Sequence, residues 1–191
     1  KFRVPQAVKD IITGAFILVE DSISINDFVD VGGHSGTVES LSIRTIRLRD
    51  TEGNVHTVPF SAVSSIINYT RDFGISLLEI GVAYREDIDH VVEVLNELGE
   101  ELLQDPELAK NILEPLVVQG VHRLDDSSVT IRARIKTVAG MQWSIRREFL
   151  RRMKKRFDER GIEIPFPHRT VYFGVDQHGK APPARVQMET D

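Results

Sequence analysis

A chain of 191 residues, 41% of them hydrophobic, is long enough to bury one large core or two small ones. Its formal net charge of -5 leaves no global positive field to gather nucleic acid or an anionic membrane. Cysteine is absent, which removes disulfides, thiolate metal sites and cysteine nucleophiles together.

The longest uninterrupted apolar run is AFILV at residues 15–19. It is far short of the roughly 20 residues that cross a bilayer, so no transmembrane span is predicted. The sequence opens on Lys1 with no signal-peptide pattern, and it reads as a fragment of a longer protein. Val8, Ile11, Ile12, Ala15, Phe16 and Val19 recur at helical spacing. Pro5 suits the first turn, where its missing N–H would have no partner anyway. An amphipathic helix is expected there. Gly14 inside it costs up to about 1 kcal/mol relative to Ala, which points to a close packing contact or a bend.

From Asp27 the period changes to strand-like alternation. Gly32 and Gly33 break one strand, Gly36 opens the next, and DTEG at 50–53 is a hairpin sequence with a glycine able to take positive φ. Strands are predicted near 27–32, 36–42, 43–50, 54–59 and 65–70. They are too short for an open sandwich, and a small, strongly bent five-stranded barrel is the expected closure.

After Arg71 the pattern changes again. Leu78, Ile80 and Val82 share a strand face, and Asp87 is placed to cap a helix striped by Ile88, Val91, Val92, Leu95, Leu98 and Leu102. Two strands follow, at 115–121 and 128–136. The second alternates Val129, Ile131, Ala133 and Ile135 with Thr130, Arg132, Arg134 and Lys136, so one face is buried and the other wet. A helix over 141–160 then carries Ile145, Phe149, Met153 and Phe157 in register. The order βαββα is that of a ferredoxin-like α+β layer. Pro165 and Pro167 cannot sit in a central strand, which isolates RTVYFGV at 169–175 as a short strand of its own. A polar tail ends the chain.

Little in this sequence points to chemistry. The six histidines are scattered, with no i, i+4 pair of the kind that holds a metal on a helix. VGGHSG at 31–36 lacks the Lys-Ser/Thr ending of a phosphate loop and opens a strand, so it reads as a turn. Glu86, Asp87, Asp89, Glu93, Glu97, Glu100 and Glu101 read as a solvated face. Arg146, Arg147, Arg151, Arg152, Lys154, Lys155 and Arg156 make one helix side positive, either solvated or paired with acidic neighbours. Phe149 and Phe157 lie in the buried stripe and offer no stacking platform for a nucleic acid.

Taken with the elements around them, three stretches resemble the small-conductance mechanosensitive (MscS-like) channel family. Residues 8–59, from VKDIITGAFILVED through DFVDVGGHSGTVESLSIRTIRLRDTEGNVHTVP, are similar to its signature from the end of the pore-lining helix into an Sm-like β domain. GVAYREDIDHV and GIEIPFPHRTVYF are similar to the start and finish of its cytoplasmic α/β domain. The likeness covers about residues 4–175.

What the resemblance implies is a division into the end of a pore-lining helix (1–20), an Sm-like β domain (21–71), a ferredoxin-like α/β domain (72–168), an oligomerisation strand (169–175) and a tail (176–191). Pro5, Ala7, Val8, Ile11 and Gly14 then fall at the pore-helix end, Pro59, Phe60 and Ser61 at the side portals, and Arg169, Val171 and Phe173 in the oligomerisation strand. It further implies a homo-oligomer of seven copies, attached through upstream transmembrane helices to a bacterial-type inner membrane with this region cytoplasmic. Such a channel passes ions and small osmolytes and needs no cofactor, catalytic residue, metal or nucleic acid. Two residues depart from the family pattern. Phe60 follows Pro59 where Asn is usual, which puts a bulky ring at what is expected to be a surface turn, and Ala7 stands where a flexible glycine is often found, which moves any helix hinge toward Gly14. An Sm-like RNA-binding ring and a plain assembly domain are the alternatives that the residues themselves leave open.

Overall fold

The computed structural model describes residues 22–169 continuously, together with Pro5, Val8, Ile11, Ile12, residues 14–16, Glu20 and Gly174. Two sheets carry two separate apolar cores.

The first sheet holds β1 (Phe28–Val31), β2 (His34–Leu41), β3 (Thr45–Arg49), β4 (Val55–Pro59) and β5 (Ile66–Asn68), with a 3₁₀ turn at Phe60–Ala62 between the last two. Alternation builds it: Ile46 and Leu48 of β3 point inward while Arg47 and Arg49 point out. Gly32 and Gly33, at φ 60 and 85, make the two-residue turn that pairs Val31 with His34, a geometry that needs positive φ at both central positions. The strand order is β4-β3-β2-β1-β5, and every pairing is antiparallel. Among the described residues no ladder joins β4 to β5, so the pairing defines a sheet with two edges where closure into a barrel was expected. An irregularity between Val38 and Ser40 shifts the register of β2 and bends it. Ile23, Val29, Val31, Val38, Ile46, Leu48, Val58 and Phe60 form the core.

The second sheet holds β6 (Phe73–Val82), β7 (Ile112–Leu124) and β8 (Val129–Val138), in the order β6-β8-β7 and antiparallel throughout. Between β6 and β7 lie α1 (Ile88–Gln104) and the short α2 (Pro106–Ala109), and α3 (Gln142–Arg160) follows β8. Asp87 caps α1 by accepting from the N–H groups of Asp89 and His90, as the sequence leads one to expect. The buried stripe of α1 is Val91, Val94, Leu95, Leu98 and Leu102, with Val92 on its half-buried flank. Gly99 completes it, because a Cβ there would stand 2.7 Å from Leu116 Cβ of β7. The helices meet one face of the sheet, where Leu78, Ile80, Ile131, Ala133 and Ile135 pack against Ile145, Phe149, Met153 and Phe157.

The order βαββα is thus observed, with α2 added where Asp105 caps a turn begun by Pro106. Gly161, at φ 68, ends α3 in the left-handed conformation. The chain then runs without strand pairing past Pro165 and Pro167, held by Ala83 N–H to the Glu163 carbonyl (3.0 Å) and His168 N–H to Ser127 Oγ (3.0 Å).

Candidate functional site

Of the residues singled out from the sequence, Gly14 and Phe60 meet at one place, where the N-terminal helix reaches the β lobe. The described residues Val8, Ile11, Ile12 and 14–16 are helical. Gly14 is buried, and a Cβ on it would lie 2.3 Å from the Ile43 carbonyl oxygen and 2.7 Å from Phe60 Cδ2. The close packing contact is therefore what Gly14 provides, since any side chain would lift the helix off its seat. Val8, Ile11, Ile12 and Phe16 are 42%, 40%, 50% and 62% exposed, so these four side chains are not the ones that dock it. Pro5 is exposed, and Ala7 lies outside the described residues.

Phe60 corrects an expectation. It is not a surface residue: the ring is fully buried in the core of the β lobe, and its N–H donates to the Arg44 carbonyl at 3.0 Å. The reason is local. Pro59 closes β4 opposite Thr45, the 3₁₀ turn begins at once, and the first residue of that turn is directed inward beneath Gly14. Pro59 is exposed and Ser61 half-buried beside it. Arg169 is exposed, while Val171 and Phe173 lie outside the described residues.

Two features of the site were not legible in advance. Ile43, at the tip of the β2–β3 hairpin, supplies the carbonyl over Gly14 and leaves its own side chain 54% exposed. A polar tether also binds the segment after the helix to β5. Asp27 Oδ2 accepts from Ser24 N–H (2.9 Å) and from Asn68 Nδ2 (2.7 Å), which also donates to the Ser22 carbonyl at 3.3 Å. Phe28 N–H donates to Thr70 Oγ1 at 2.9 Å. Just past Asn68 the backbone still pairs once, Tyr69 N–H donating to the Phe28 carbonyl at 2.9 Å, and there the Thr70 hydroxyl takes the Phe28 N–H in place of a backbone carbonyl. A cleft of about 380 Å³ opens beside the tether, lined by Glu20, Ser22, Val63, Ser64, Ser65, Ile66 and Asn68.

The basic run of α3 is largely neutralised in place. Arg152 holds Glu148 and Asp105 at 2.7 Å each, Arg156 reaches Glu101 and Glu97, and Arg160 reaches Glu97. Arg151 and Arg152 hold the Glu148 carboxyl down to about 2. On the β lobe, His34 and His56 approach to 5.0 Å between ring centroids. His56 lies 2.9 Å from Asp50 and keeps that carboxyl well below its usual range. Among the described residues no three of His, Asp and Glu converge as a metal site, and no helix is long and apolar enough to cross a membrane.

A helix seated on a five-stranded β lobe, followed by a βαββα layer, defines a recognisable kind of protein. Residues 6–71 match the family model described as mechanosensitive ion channel, beta-domain, and residues 77–164 match mechanosensitive ion channel MscS, C-terminal. The chain belongs to the MscS family of mechanosensitive ion channels. It is 32% identical over 170 residues to a small-conductance mechanosensitive channel of Caldanaerobacter subterraneus subsp. tengcongensis, covering 89% of this chain and 59% of that protein. It is also 32% identical over 158 residues to the moderate conductance mechanosensitive channel YbiO of Escherichia coli, covering 83% of this chain and 21% of that one. The chain therefore spans only part of these relatives. In fold it is similar to Helicobacter pylori MscS in its closed state, with TM-score 0.67 and 23% identity over 88% of this chain and 66% of that one. Arabidopsis thaliana MSL1 superposes with TM-score 0.61 at 19% identity, over 85% and 60%.

Proposed function

We propose that this chain is the cytoplasmic vestibule region of a channel that opens under membrane tension and releases ions and small osmolytes on hypo-osmotic shock. The observation that carries the reading is the seat of Gly14. Gly14 seats the helix on the β lobe while, among the described residues, Val8, Ile11, Ile12 and Phe16 stay uncovered, as befits a helix whose apolar side chains face other helices or lipid. In this reading the β lobe is an Sm-like collar and the second lobe a ferredoxin-like layer. Residues 1–20, 21–71, 72–168 and 169–175 are pore-helix end, collar, vestibule wall and oligomerisation strand. Pro59, Phe60 and Ser61 flank a side portal, with Phe60 acting from the core behind it. The assembly is a homo-oligomer of seven copies in a bacterial-type inner membrane, and the region performs no catalysis.

Tension favours whichever state has the larger in-plane area. The transmembrane part supplies that area, and the lobes described above hold the ring and admit solutes of limited size. The experiment is survival of hypo-osmotic shock, with patch-clamp recording, in a bacterial strain lacking its own channels and carrying the complete parent gene. Tension-dependent conductance and rescue are expected; a correctly inserted protein that gives neither overturns the reading.

A further inference from the structure

The two lobes are joined by only a few residues, and the start of α3 packs back onto that joint. Phe28 of β1 meets the indole of Trp143 edge-on, with ring centroids 5.2 Å apart and planes at 70°, and it lies 5.9 Å from Tyr69. One residue before Trp143, Gln142 is 6% exposed. Its Nε2 donates to the Tyr69 carbonyl at 2.9 Å, while its Oε1 is buried with no hydrogen-bond partner. Gly74 admits this amide, because a Cβ there would stand 2.2 Å from Oε1 and 2.5 Å from Cδ. The linker itself turns sharply. Asp72 sits at φ 61, and Phe73 N–H donates to the Arg71 carbonyl at 2.7 Å.

None of Phe28, Tyr69, Gln142 and Trp143 belongs to either apolar core. Phe28 and Tyr69 pack on each other within the β lobe, and the Phe28–Trp143 and Gln142–Tyr69 contacts fix the second lobe against that pair. We infer that this cluster is a latch with a closed state, the one observed, and a released state in which α3 swings away from β1 about residues 69–73. Release lets water reach the Gln142 amide, which offsets part of what is lost with the Phe28–Trp143 contact and the hydrogen bond to Tyr69. While the latch is closed, motion of the α/β lobe is passed to β1 and, through the shared core, to Phe60 beneath Gly14. This inference stands on contacts within the chain and not on the conduction reading.

The chain has no cysteine, so a pair of spin labels can be placed cleanly. Ile67→Cys on β5 and Arg147→Cys on α3 are both at exposed positions, and diluting the labelled chain with unlabelled chain restricts the reading to pairs within one copy. A single narrow distance distribution is expected with the latch intact. Trp143→Ser, and separately Gly74→Ala, should each add a second, longer population with unchanged far-ultraviolet circular dichroism. Gly74→Ala should also shift the emission of the single tryptophan to longer wavelength. A distribution that is broad from the start, or one that neither variant alters, overturns the latch.

Discussion

Gly14 lies so close beneath Ile43 that a Cβ would stand 2.3 Å from the Ile43 carbonyl oxygen. Inside an exposed helix, Gly→Ala is normally stabilising by up to about 1 kcal/mol. Here the sign reverses, because the nearest obstructing atom is the Ile43 backbone carbonyl oxygen, which cannot rotate away, and the next belongs to the buried Phe60 ring. Gly14→Ala is expected to cost about 1–3 kcal/mol as overpacking at the seat. Thermal unfolding and protease protection of the N-terminal segment check it; a variant as stable and as protected as the parent removes the seat from the argument.

Phe60 fills the centre of the β lobe, so its truncation should be severe. Phe60→Ala is expected to cost about 3–5 kcal/mol, the usual range for emptying a buried aromatic site. Phe60→Asn should be at least as costly, since it adds an amide with no partner in an apolar core. Phe60→Leu should be milder. Urea unfolding of the three variants gives the order, and an Asn variant near parental stability would return Phe60 to the surface.

The repeating parts of the fold were legible and the contacts between them were not. Period-2 alternation at 129–136 and the stripe from Val91 to Leu102 report directly on which side of an element faces a core. Asp87 as a cap is equally local. Phe60 was misplaced because a turn after proline looks like surface, and only the approach of Gly14 and the β3 register direct that ring inward. The signal at Gly14 was present, as an otherwise unfavourable glycine in an apolar helix, but its partners Ile43 and Phe60 are distant in sequence. The Asp27–Asn68 tether and the Phe28–Trp143 contact join residues with no shared periodicity. Pattern reasoning has nothing to say about such pairs.

The ion pairs of α3 predict an acid limb in stability. Glu148 is lowered from 4.5 to about 2 by Arg151 and Arg152, and Asp105 is lowered by Arg152. A carboxylate whose folded pKa is depressed contributes stability that is fully present above its unfolded pKa and is lost as pH falls through the folded one. The urea midpoint should therefore hold steady above about pH 5 and decline between 4.5 and 2. Glu148→Gln should flatten that decline while lowering the neutral-pH midpoint, because Gln cannot neutralise the two guanidinium groups. Parallel pH profiles for the two proteins would falsify the assignment.

Pro165 and Pro167 lie in a run with no strand pairing, and this bears on assembly. Proline donates no ladder bond, so residues after it cannot simply extend the β6-β8-β7 sheet. A strand over 169–175 would then need partners from outside its own subunit, and symmetry-related copies of the same strand can supply them in a closed barrel without free edges. Among the described residues the two cores end at Ile162, upstream of this segment. Deleting residues 169–191 should therefore leave secondary structure and the unfolding of each lobe nearly unchanged while shifting the assembly toward smaller species. Light scattering on the 191-residue chain and its truncated form decides between the outcomes. A lower mass with intact circular dichroism is expected; an unchanged mass would show that the ring is held elsewhere and that the segment after Pro167 takes no part in it.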